Sequence, residues 1–447
     1  MRRVLVSAGL SLALCACLSA ANLTGGDPPA DGGATLAEAC VADLQNDVGN
    51  CGACGKVCGN HANAYGMCKG GACAIGCNTG YGDCDGKIET GCESPLATDP
   101  NHCGACGHAC GGARCVGGQC QPFTLAEVPG YVVSATTDAT HIYYAYDGGG
   151  GSYAIGRTPK DGSAPPSAVV TGITKPPYAL TVTDAEIYWV KTNEANGPPP
   201  AQPDGQVFRS PKAGGAVGAP WLAGLRTTQY FAVADGNAFI GTSDYTARTS
   251  AIGRAALTGK TVVDNTTAIP GFLYALRVDG SFVYFFNSGD DTGANRGLRR
   301  CPTTGCGAAS TLVPNLPGSS YVYDILPYGG FLYFSVNSRS IVRIKPTGEA
   351  YQSLVSSEDA YSSRISSFAV DATSLYWIES TYGGGGGGGA DVYTAWTCSI
   401  ANCQDGKREL LVRGRASEVF VDDKAAYFLT QVAAATGTAT QILKVMK

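Results

Sequence analysis

Charged residues are scarce in this sequence. Lys, Arg, Asp and Glu make up 15% of its 447 residues, and 31 basic side chains against 36 acidic ones leave a formal net charge of -5. Because no basic stripe runs along the chain, it lacks the long-range attraction that nucleic acid or an anionic membrane surface requires. We therefore expect no nucleic acid partner, and contact with a membrane only through an attached lipid.

Local signatures of catalysis are also missing. Histidine occurs four times, and His141 lies in a predicted strand beside aromatic residues, where we expect it to pack in a core. The sequence has no G-x-S-x-G elbow, no H-E-x-x-H helix and no phosphate-binding glycine loop, and the glycine run at residues 383–389 is low complexity. We expect a protein that is not an enzyme, although a site assembled from Asp, Glu and Tyr of distant repeats leaves no local motif.

Apolar runs long enough to span a membrane are missing as well. After "MRR", residues 4–14 form a short apolar run, which predicts an export signal within residues 1–17. The string "LCAC", ending at Cys17, resembles a bacterial lipobox and predicts a lipid on Cys17, with cleavage before Asn22 and no lipid as the alternative. Residues 18–39 are rich in Gly, Pro and small polar residues, so we expect a flexible tether there.

Cysteine, by contrast, is abundant: the chain has 20, of which 14 lie in residues 40–120. They form two copies of a six-cysteine pattern that differ in a single gap, with two more cysteines between the copies. The first copy is Cys40, Cys51, Cys54, Cys58, Cys68 and Cys73; the linking pair is Cys77 and Cys84; the second copy is Cys92, Cys103, Cys106, Cys110, Cys115 and Cys120. The predicted module therefore contains an even number of cysteines in every group.

An exported chain meets an oxidising compartment, in which clustered cysteines form disulfides. Units this short bury too little apolar surface to fold without such staples. We therefore predict a disulfide-rich, loop-rich module over residues 40–120. Six cysteines allow fifteen pairings, and the sequence does not choose among them.

Metal and redox sites are the alternatives for this module. Three histidines lie near the C-x-x-C pairs, at His61, His102 and His108. They occupy non-equivalent places in the two copies, which argues against zinc, and no buried strand precedes either C-x-x-C as a thioredoxin-like couple requires. The acidic residues Asp83, Asp85 and Glu93 lack the ligand order of a helix-loop-helix calcium site and indicate a solvated turn. We expect no metal and no cofactor.

Beyond residue 120 one theme recurs seven times: an alternating strand, a tight turn that usually carries Asp, and a second strand with an aromatic pair. A third strand, a glycine turn and a short fourth strand follow. The matching aromatics are Tyr143, Tyr188, Phe239, Tyr284, Tyr333, Tyr376 and Tyr427. Four antiparallel strands repeated at this spacing predict an all-β fold, a seven-bladed β-propeller over residues 121–447, with six or eight blades as alternatives.

Two details favour a closed ring. The glycine turn is replaced by "CPTTGC" (Cys301 and Cys306) in the fourth copy and by "CSIANC" (Cys398 and Cys403) in the sixth, so a disulfide across each hairpin is predicted. The seventh copy ends after its third strand, and residues 123–128, "FTLAEV", are predicted to supply the missing fourth strand.

The phrases "LYWIES" and "IYWVKT", followed downstream by "IGRTPKDG" or "FRSPKAGG", resemble the YWTD propeller repeats of the lipoprotein-receptor class in their bacterial exported variants. The resemblance covers roughly residues 130–447 and implies a propeller fold only. That class builds six blades from shorter repeats, whereas seven copies are present here. A cysteine-rich module followed by such repeats is similar to surface lipoproteins of myxobacterial type.

The length variation falls in one place, between the second and third strands, and in a propeller these loops share one face. Loops on a rigid scaffold commonly bind ligands. In alternating strands one of each aromatic pair faces the neighbouring blade, so core packing is the default expectation, and only the second member of some pairs is expected to reach the surface. Tyr146, Trp189 and Trp377 are the predicted contact residues. We predict a non-enzymatic cell-surface or secreted binding or adhesion protein that contacts an extracellular glycan or protein. The alternatives are a propeller hydrolase or lyase acting on an extracellular polymer, and a purely structural envelope protein.

Overall fold

A computed structural model describes most of the chain after residue 41. The described residues are 42–191, 205–264, 268–290, 296–306, 309–313, 321–357, 363–381, 392–404, 408–410, 412, 414–434 and 437–447. The predicted export signal, lipidation site Cys17, tether and Cys40 lie outside them. The chain divides into two compact units. The described residues of the first unit are 42–60 and 66–76, and the second unit comprises residues 61–65 and 77–447.

The predicted disulfides of the cysteine-rich region are confirmed for the described cysteines, which exclude Cys40. The first unit contains Cys51–Cys68 and Cys58–Cys73. The second unit contains Cys77–Cys92, Cys84–Cys106, Cys103–Cys115 and Cys110–Cys120. Cys54 is also disulfide-bonded. In both copies the second cysteine pairs with the fifth and the fourth with the sixth, so the repeat in sequence is a repeat in connectivity.

Regular structure in the cysteine-rich region is short, as expected where bonds between sulfur atoms replace an apolar core. Three two-stranded sheets occur there, formed by Ala64–Lys69 with Ala72–Cys77, Tyr81–Gly82 with Ser94–Pro95, and Cys115–Val116 with Gln119–Cys120. Cys51, Cys92, Cys103 and Cys110 are fully buried. Burial of the sulfur atoms protects these bonds from exchange with external thiols.

The remainder of the second unit is the predicted seven-bladed β-propeller, built from seven sheets of antiparallel strands. Blade one contains Tyr131–Thr137, His141–Asp147, Tyr153–Pro159 and Ser167–Ile173; blade two contains Tyr178–Val182, Glu186–Lys191, Gly205–Pro211 and Leu222–Leu225. Blade three contains Thr227–Ala234, Asn237–Asp244, Thr249–Ala256 and Val263–Asp264; blade four contains Leu273–Asp279, Phe282–Asn287, Gly297–Pro302 and Ser310–Val313. The short strands Gly215–Ala216 and Ile269–Pro270 extend the sheets of blades one and three.

Blades five to seven complete the ring. Blade five contains Ile325–Tyr328, Phe331–Val336, Ser340–Ile344 and Gln352–Ser356. Blade six contains Ser363–Val370, Ser374–Thr381, Val392–Ser399 and Arg408–Leu410, with a 3-10 turn at Ile400–Asn402. Blade seven contains Arg415–Val421, Ala425–Ala434, Gly437–Met446 and, from the other end of the propeller sequence, Phe123–Pro129.

The predicted closure strand is confirmed. Phe123–Pro129 pairs antiparallel with Gly437–Met446, and Thr440 also donates its hydroxyl to the carbonyl of Gly130 at 3.0 Å. Pairing the two ends of the propeller sequence within one sheet completes blade seven and closes the ring. The hairpin disulfides Cys301–Cys306 and Cys398–Cys403 are also present, each with a Cα–Cα distance of 5.0 Å.

Apolar side chains pack between neighbouring blades. Seven buried clusters fill the seven junctions around the ring. In blade two, Trp189 joins the cluster shared with blade one, and Tyr188 joins the cluster shared with blade three. Because each sheet is covered on both sides, both members of an aromatic pair are buried.

A recurring ion pair links the turns of adjacent blades. In blade one, Asp138 accepts hydrogen bonds from the backbone N–H groups of Thr140 and His141 at 2.8 Å and from the Tyr143 hydroxyl at 3.1 Å. Lys212 of blade two lies 2.6 Å from the same carboxylate. The arrangement recurs where Lys160 of blade one meets Asp422 of blade seven at 3.3 Å. Repetition of "Asp" and "PK" along the sequence thus corresponds to a repeated contact.

A basic residue in the third strand of five blades makes a second recurring contact, with a backbone carbonyl of the next blade. The pairs are Arg157 to Lys212 O at 3.3 Å, Arg209 to Leu257 O at 2.9 Å, Arg254 to Thr303 O at 3.1 Å, Arg300 to Pro346 O at 2.5 Å and Lys444 to Lys160 O at 2.9 Å. These bonds explain the recurring Arg in "IGR", "VFR" and "LRR". They place much of the buried charge of the propeller in structural roles.

Candidate functional site

The loops between second and third strands and the links between blades lie at the same end of the strands, which we call the loop face. Several exposed tyrosines occur on this face, at the starts of first strands or beside them. They are Tyr131, Tyr178, Tyr245 and Tyr323, which are 46%, 39%, 47% and 52% exposed. Exposed rings that share one face of a rigid scaffold are a common basis for recognition.

The predicted contact residues Trp189 and Trp377 do not reach the surface. Each is 1% exposed, Trp189 stacked on Phe208 at 5.5 Å and Trp377 on Trp396 at 6.3 Å. This corrects the expectation that the second aromatic of a pair is exposed, because the neighbouring blade covers that side of the sheet. Tyr146 is half-buried and contacts the ring of Tyr144 at 5.9 Å.

A tyrosine cluster lies on the loop face between blades four and five. The rings of Tyr274 and Tyr321 are 5.0 Å apart in an edge-to-face arrangement, and Tyr323 lies 6.0 Å from Tyr274 and 6.2 Å from Tyr321. Tyr321 and Tyr323 precede the first strand of blade five, while Tyr274 lies in the first strand of blade four. Mutual packing fixes the three rings, so a ligand meets a preorganised surface.

Two cavities flank this cluster. The first, which we call cavity A, has a volume of about 660 Å³ and is lined by polar, basic and aromatic side chains that include Arg248, Phe272, Tyr274, Ser288, Arg296 and Tyr321. The Arg296 guanidinium lies 5.0 Å from the centre of the Tyr321 ring, and its Nε donates a hydrogen bond to the Ser288 carbonyl at 3.0 Å. These contacts hold the guanidinium in one orientation at the cavity wall.

The second cavity, cavity B, has a volume of about 520 Å³ and lies on the other side of the cluster. Its lining is Tyr323, Asn337, Ser338, Arg339, Arg364, Ile365 and Ser366. Arg339 and Arg364 are both exposed. Tyr323 and Ser338 also line the central channel, so cavity B opens beside the channel mouth.

The central channel has a volume of about 850 Å³ and is walled by the first strands of the blades. Small hydroxyl side chains bridge neighbouring blades there. Ser134 accepts a hydrogen bond from the backbone N–H of Leu180, and Ser367 accepts one from that of Val419, both at 3.1 Å. Both serines directly follow a β-bulge, which re-aims the side chain toward the next blade.

Blade seven carries a carboxylate, Glu418, at the position after its bulge. Burial raises the pKa of Glu418 to about 7, and the Asp324 carboxylate adds to the effect while Arg277 opposes it. Arg277 and Asp324 themselves form an ion pair at 2.6 Å across the junction of blades four and five. The channel therefore contains one carboxyl group that changes charge near neutral pH, beside a paired carboxylate.

The groups weighed as metal ligands fall into two classes. Cys51, Cys58 and Cys73 lie close together, as do Cys103, Cys110 and Cys120, but every one of these sulfurs is in a disulfide. Asp83, Asp85 and Glu93 also converge within 4.8 Å. Their oxygens accept hydrogen bonds from the backbone N–H groups of Gly86, Lys87 and Cys84. This is the arrangement of a hydrogen-bonded turn.

Sequence reasoning missed the tyrosine cluster and Glu418. A signal for the tyrosines was present, since most copies carry a tyrosine at or just before the first strand, at Tyr131, Tyr178, Tyr230, Tyr274 and Tyr323. No local pattern marks Glu418, whose surroundings come from blades that are distant in sequence. Several of the variable loops lie outside the described residues, namely 192–204, 291–295, 382–391 and 435–436.

Comparison with known proteins assigns no family to this chain. No family model matches the chain, and no curated protein matches it. Similar solved structures include the WD40 β-propeller domain of Doa1, at 9% identity and TM-score 0.47 over 72% of this chain and 96% of that one. Another is YCF48 bound to a D1 peptide, at 13% identity and TM-score 0.47 over 73% and 96%. A nidogen/laminin complex has 14% identity and TM-score 0.39 over 51% and 80%.

Proposed function

We propose that this protein is a non-enzymatic binding protein of the cell surface or extracellular space, and that the loop face holds its ligand, a glycan or a protein. The observation that carries the proposal is the cluster of Tyr274, Tyr321 and Tyr323 between two arginine-lined cavities. Tyr and Arg are the residues most enriched where proteins bind other molecules, because they combine large contact areas with directional hydrogen bonds.

The location proposed here is supported by the disulfides. Eight bonds join cysteines among the described residues, a density typical of extracellular or secreted proteins. The described part of the chain contains no helix long and apolar enough to cross a membrane. Attachment through a lipid on Cys17 remains part of the proposal, and mass spectrometry of the mature N-terminus tests it. An unmodified chain beginning at Asn22 contradicts the lipid.

The experiment for the binding function compares two tyrosines of similar exposure on opposite faces. Tyr323, 52% exposed, belongs to the cluster, whereas Tyr351, 47% exposed, lies between the third and fourth strands of blade five at the other end of the propeller. The oxidised mature protein is applied to glycan and peptide arrays. We expect Tyr323→Ala to abolish the signal and Tyr351→Ala to preserve it. No signal from a correctly folded protein would favour a purely structural envelope role.

A second candidate function, a hydrolase or lyase acting on an extracellular polymer, is favoured by one observation. Glu418, with its pKa raised to about 7, faces the channel near Asp324, and a carboxyl group that titrates near neutral pH suits general acid catalysis. Product release from a polymer that disappears in Glu418→Gln would support this candidate over pure binding. Turnover that persists in Glu418→Gln would assign the activity elsewhere.

A further inference from the structure

We propose that the ligand of the loop face is an anionic polysaccharide whose acidic sugar units occupy cavities A and B together. This inference rests on the proposed binding function and names the chemical class of the ligand. Three features support it: the charge of the cavity walls, the neutral polar groups between the charges, and the similar lining side chains on either side of the tyrosine cluster.

Both cavities carry two arginines. Arg248 and Arg296 line cavity A, and Arg339 and Arg364 line cavity B. A planar guanidinium binds a carboxylate or sulfate through two parallel hydrogen bonds, which gives orientation as well as attraction. Acidic sugars carry these anions at the edge of the sugar ring, where a guanidinium at the cavity wall can reach them.

The described lining of the two cavities is basic in a chain that is acidic as a whole. Four arginines and one carboxylate, Asp290, give a formal charge of 4 - 1 = +3, against -5 for the whole chain. Arg248 and Asp290 each have further interactions of their own. The attraction for an anion therefore comes from the excess of positive charge and not from any single unpaired group.

The neutral groups of the cavities match the rest of a sugar. Ser288 lies in cavity A, and Asn337, Ser338 and Ser366 lie in cavity B, where hydroxyl and amide groups can exchange hydrogen bonds with ring hydroxyls. Tyr323, which is 52% exposed, offers a ring face on which the apolar side of a sugar can pack. Cavity B offers little apolar surface to an acidic peptide that binds through apolar side chains, because Ile365 is its aliphatic lining residue.

The repetition indicates a polymer. Tyr321 lines cavity A and Tyr323 lines cavity B, and their rings are 6.2 Å apart and inclined by 26°. The same set of groups, two arginines with tyrosine and neutral polar side chains, therefore occurs on both sides of one ring pair. A ligand in which the same charged unit recurs can fill both cavities, and the second contact then forms at high effective concentration.

The test measures affinity of the full mature protein for polygalacturonate and chondroitin sulfate, with dextran as the neutral glycan, poly-L-glutamate as the acidic peptide and oligo(dT) as the nucleic acid. Cavity B is altered by Arg339→Gln with Arg364→Gln, and cavity A by Arg248→Asn with Arg296→Gln. The control pair Lys345→Gln with Lys424→Gln removes the same charge from exposed positions on the opposite face. Thermal unfolding verifies that each variant is folded.

We expect an acidic polysaccharide to bind, each arginine pair to weaken it by at least about tenfold, and the control pair to leave it unchanged. Added salt should weaken binding, because the attraction is ionic. If the polysaccharide loses affinity for only one of the two cavity variants, the two-cavity arrangement is wrong. If dextran binds as tightly as the acidic polysaccharides and Tyr323→Ala abolishes this binding, the ligand is not anionic, but the proposed binding function stands. Preferential binding of poly-L-glutamate or oligo(dT) refutes the polysaccharide, and no binding through this face refutes both.

Discussion

Removal of the carboxylate that joins blades one and two should destabilise the propeller more than loss of a surface ion pair does. Asp138 accepts five hydrogen bonds, from two backbone N–H groups, the hydroxyls of Thr140 and Tyr143, and Lys212. The side chains of Asp138 and Lys212 are 21% and 18% exposed. Asp138→Ala removes the carboxylate that neutralises the Lys212 ammonium at a largely buried place.

The expected cost of Asp138→Ala is about 3 kcal/mol, since breaking a buried pair from one side costs about 3 to 5 kcal/mol and partial exposure reduces this. Lys212→Met keeps the aliphatic stem over Tyr143 and should cost about 2 kcal/mol by the same reasoning. The double variant should cost less than the sum, with a coupling of about 1 to 2 kcal/mol.

Urea unfolding of the oxidised mature protein measures these differences. Asp85 and Lys87, an exposed pair at 3.7 Å, are the matched control and should show no measurable coupling. Burial opposes ionisation of Asp138, but the hydrogen bonds from Lys212, Thr140 and His141 outweigh it and hold its pKa well below the usual 3.8. The stabilisation is therefore complete above pH 3.8 and disappears as the pH falls through the lowered pKa. Equal coupling in both pairs, or additive single variants, would refute the reasoning.

Three further predictions concern the channel, the closure strand and the hairpin disulfides. Burial raises the pKa of Glu418, so ionisation of this carboxyl group lowers the stability of the fold above pH 7 and has no effect below pH 4.5. Glu418→Gln should therefore stabilise the protein by up to about 3 kcal/mol at pH 8 and leave its stability unchanged at pH 4. An equal effect at both pH values contradicts this. Val128→Asp, at a position that is 1% exposed, should destabilise by at least about 3 kcal/mol, whereas the exposed Thr124→Asp should be tolerated, as denaturant unfolding will report. Replacing Cys301 and Cys306 by Ser should lower stability by about 2 kcal/mol, because a bond between residues 5 apart closes a short loop; an unchanged melting temperature would refute this.

The parts of the fold that follow from local pattern were predictable from the sequence. The alternating strands, the regular spacing of aromatics such as Tyr143 and Tyr427, and the truncated seventh copy together predicted the blade number and the closure strand, because each reflects a contact made within one repeat or between its copies. The pairing of cysteines was not predictable, since the same spacings permit many closed loops.

The candidate site depends on contacts that the pattern does not encode. The alternation of apolar and polar residues predicts that one face of a strand is buried. In a propeller the neighbouring blades cover both faces, so Trp189 and Trp377 are buried in the core. The environment of Glu418 is created by Arg277 and Asp324, which lie about a hundred residues away or more. The tyrosine cluster forms where the links of blades four and five meet, and the packing of these two neighbouring blades brings the three rings together.

The position of the closure strand has a consequence for biogenesis. The hydroxyl of Thr440 bonds to a backbone carbonyl 310 residues earlier, so blade seven is complete only after the strand Gly437–Met446 has been synthesised. Until then Phe123–Pro129 has no partner strand. Loss of residues 438–447 would leave Phe123–Pro129 and Ala425–Ala434 with unpaired edges, which makes incomplete translation products candidates for aggregation.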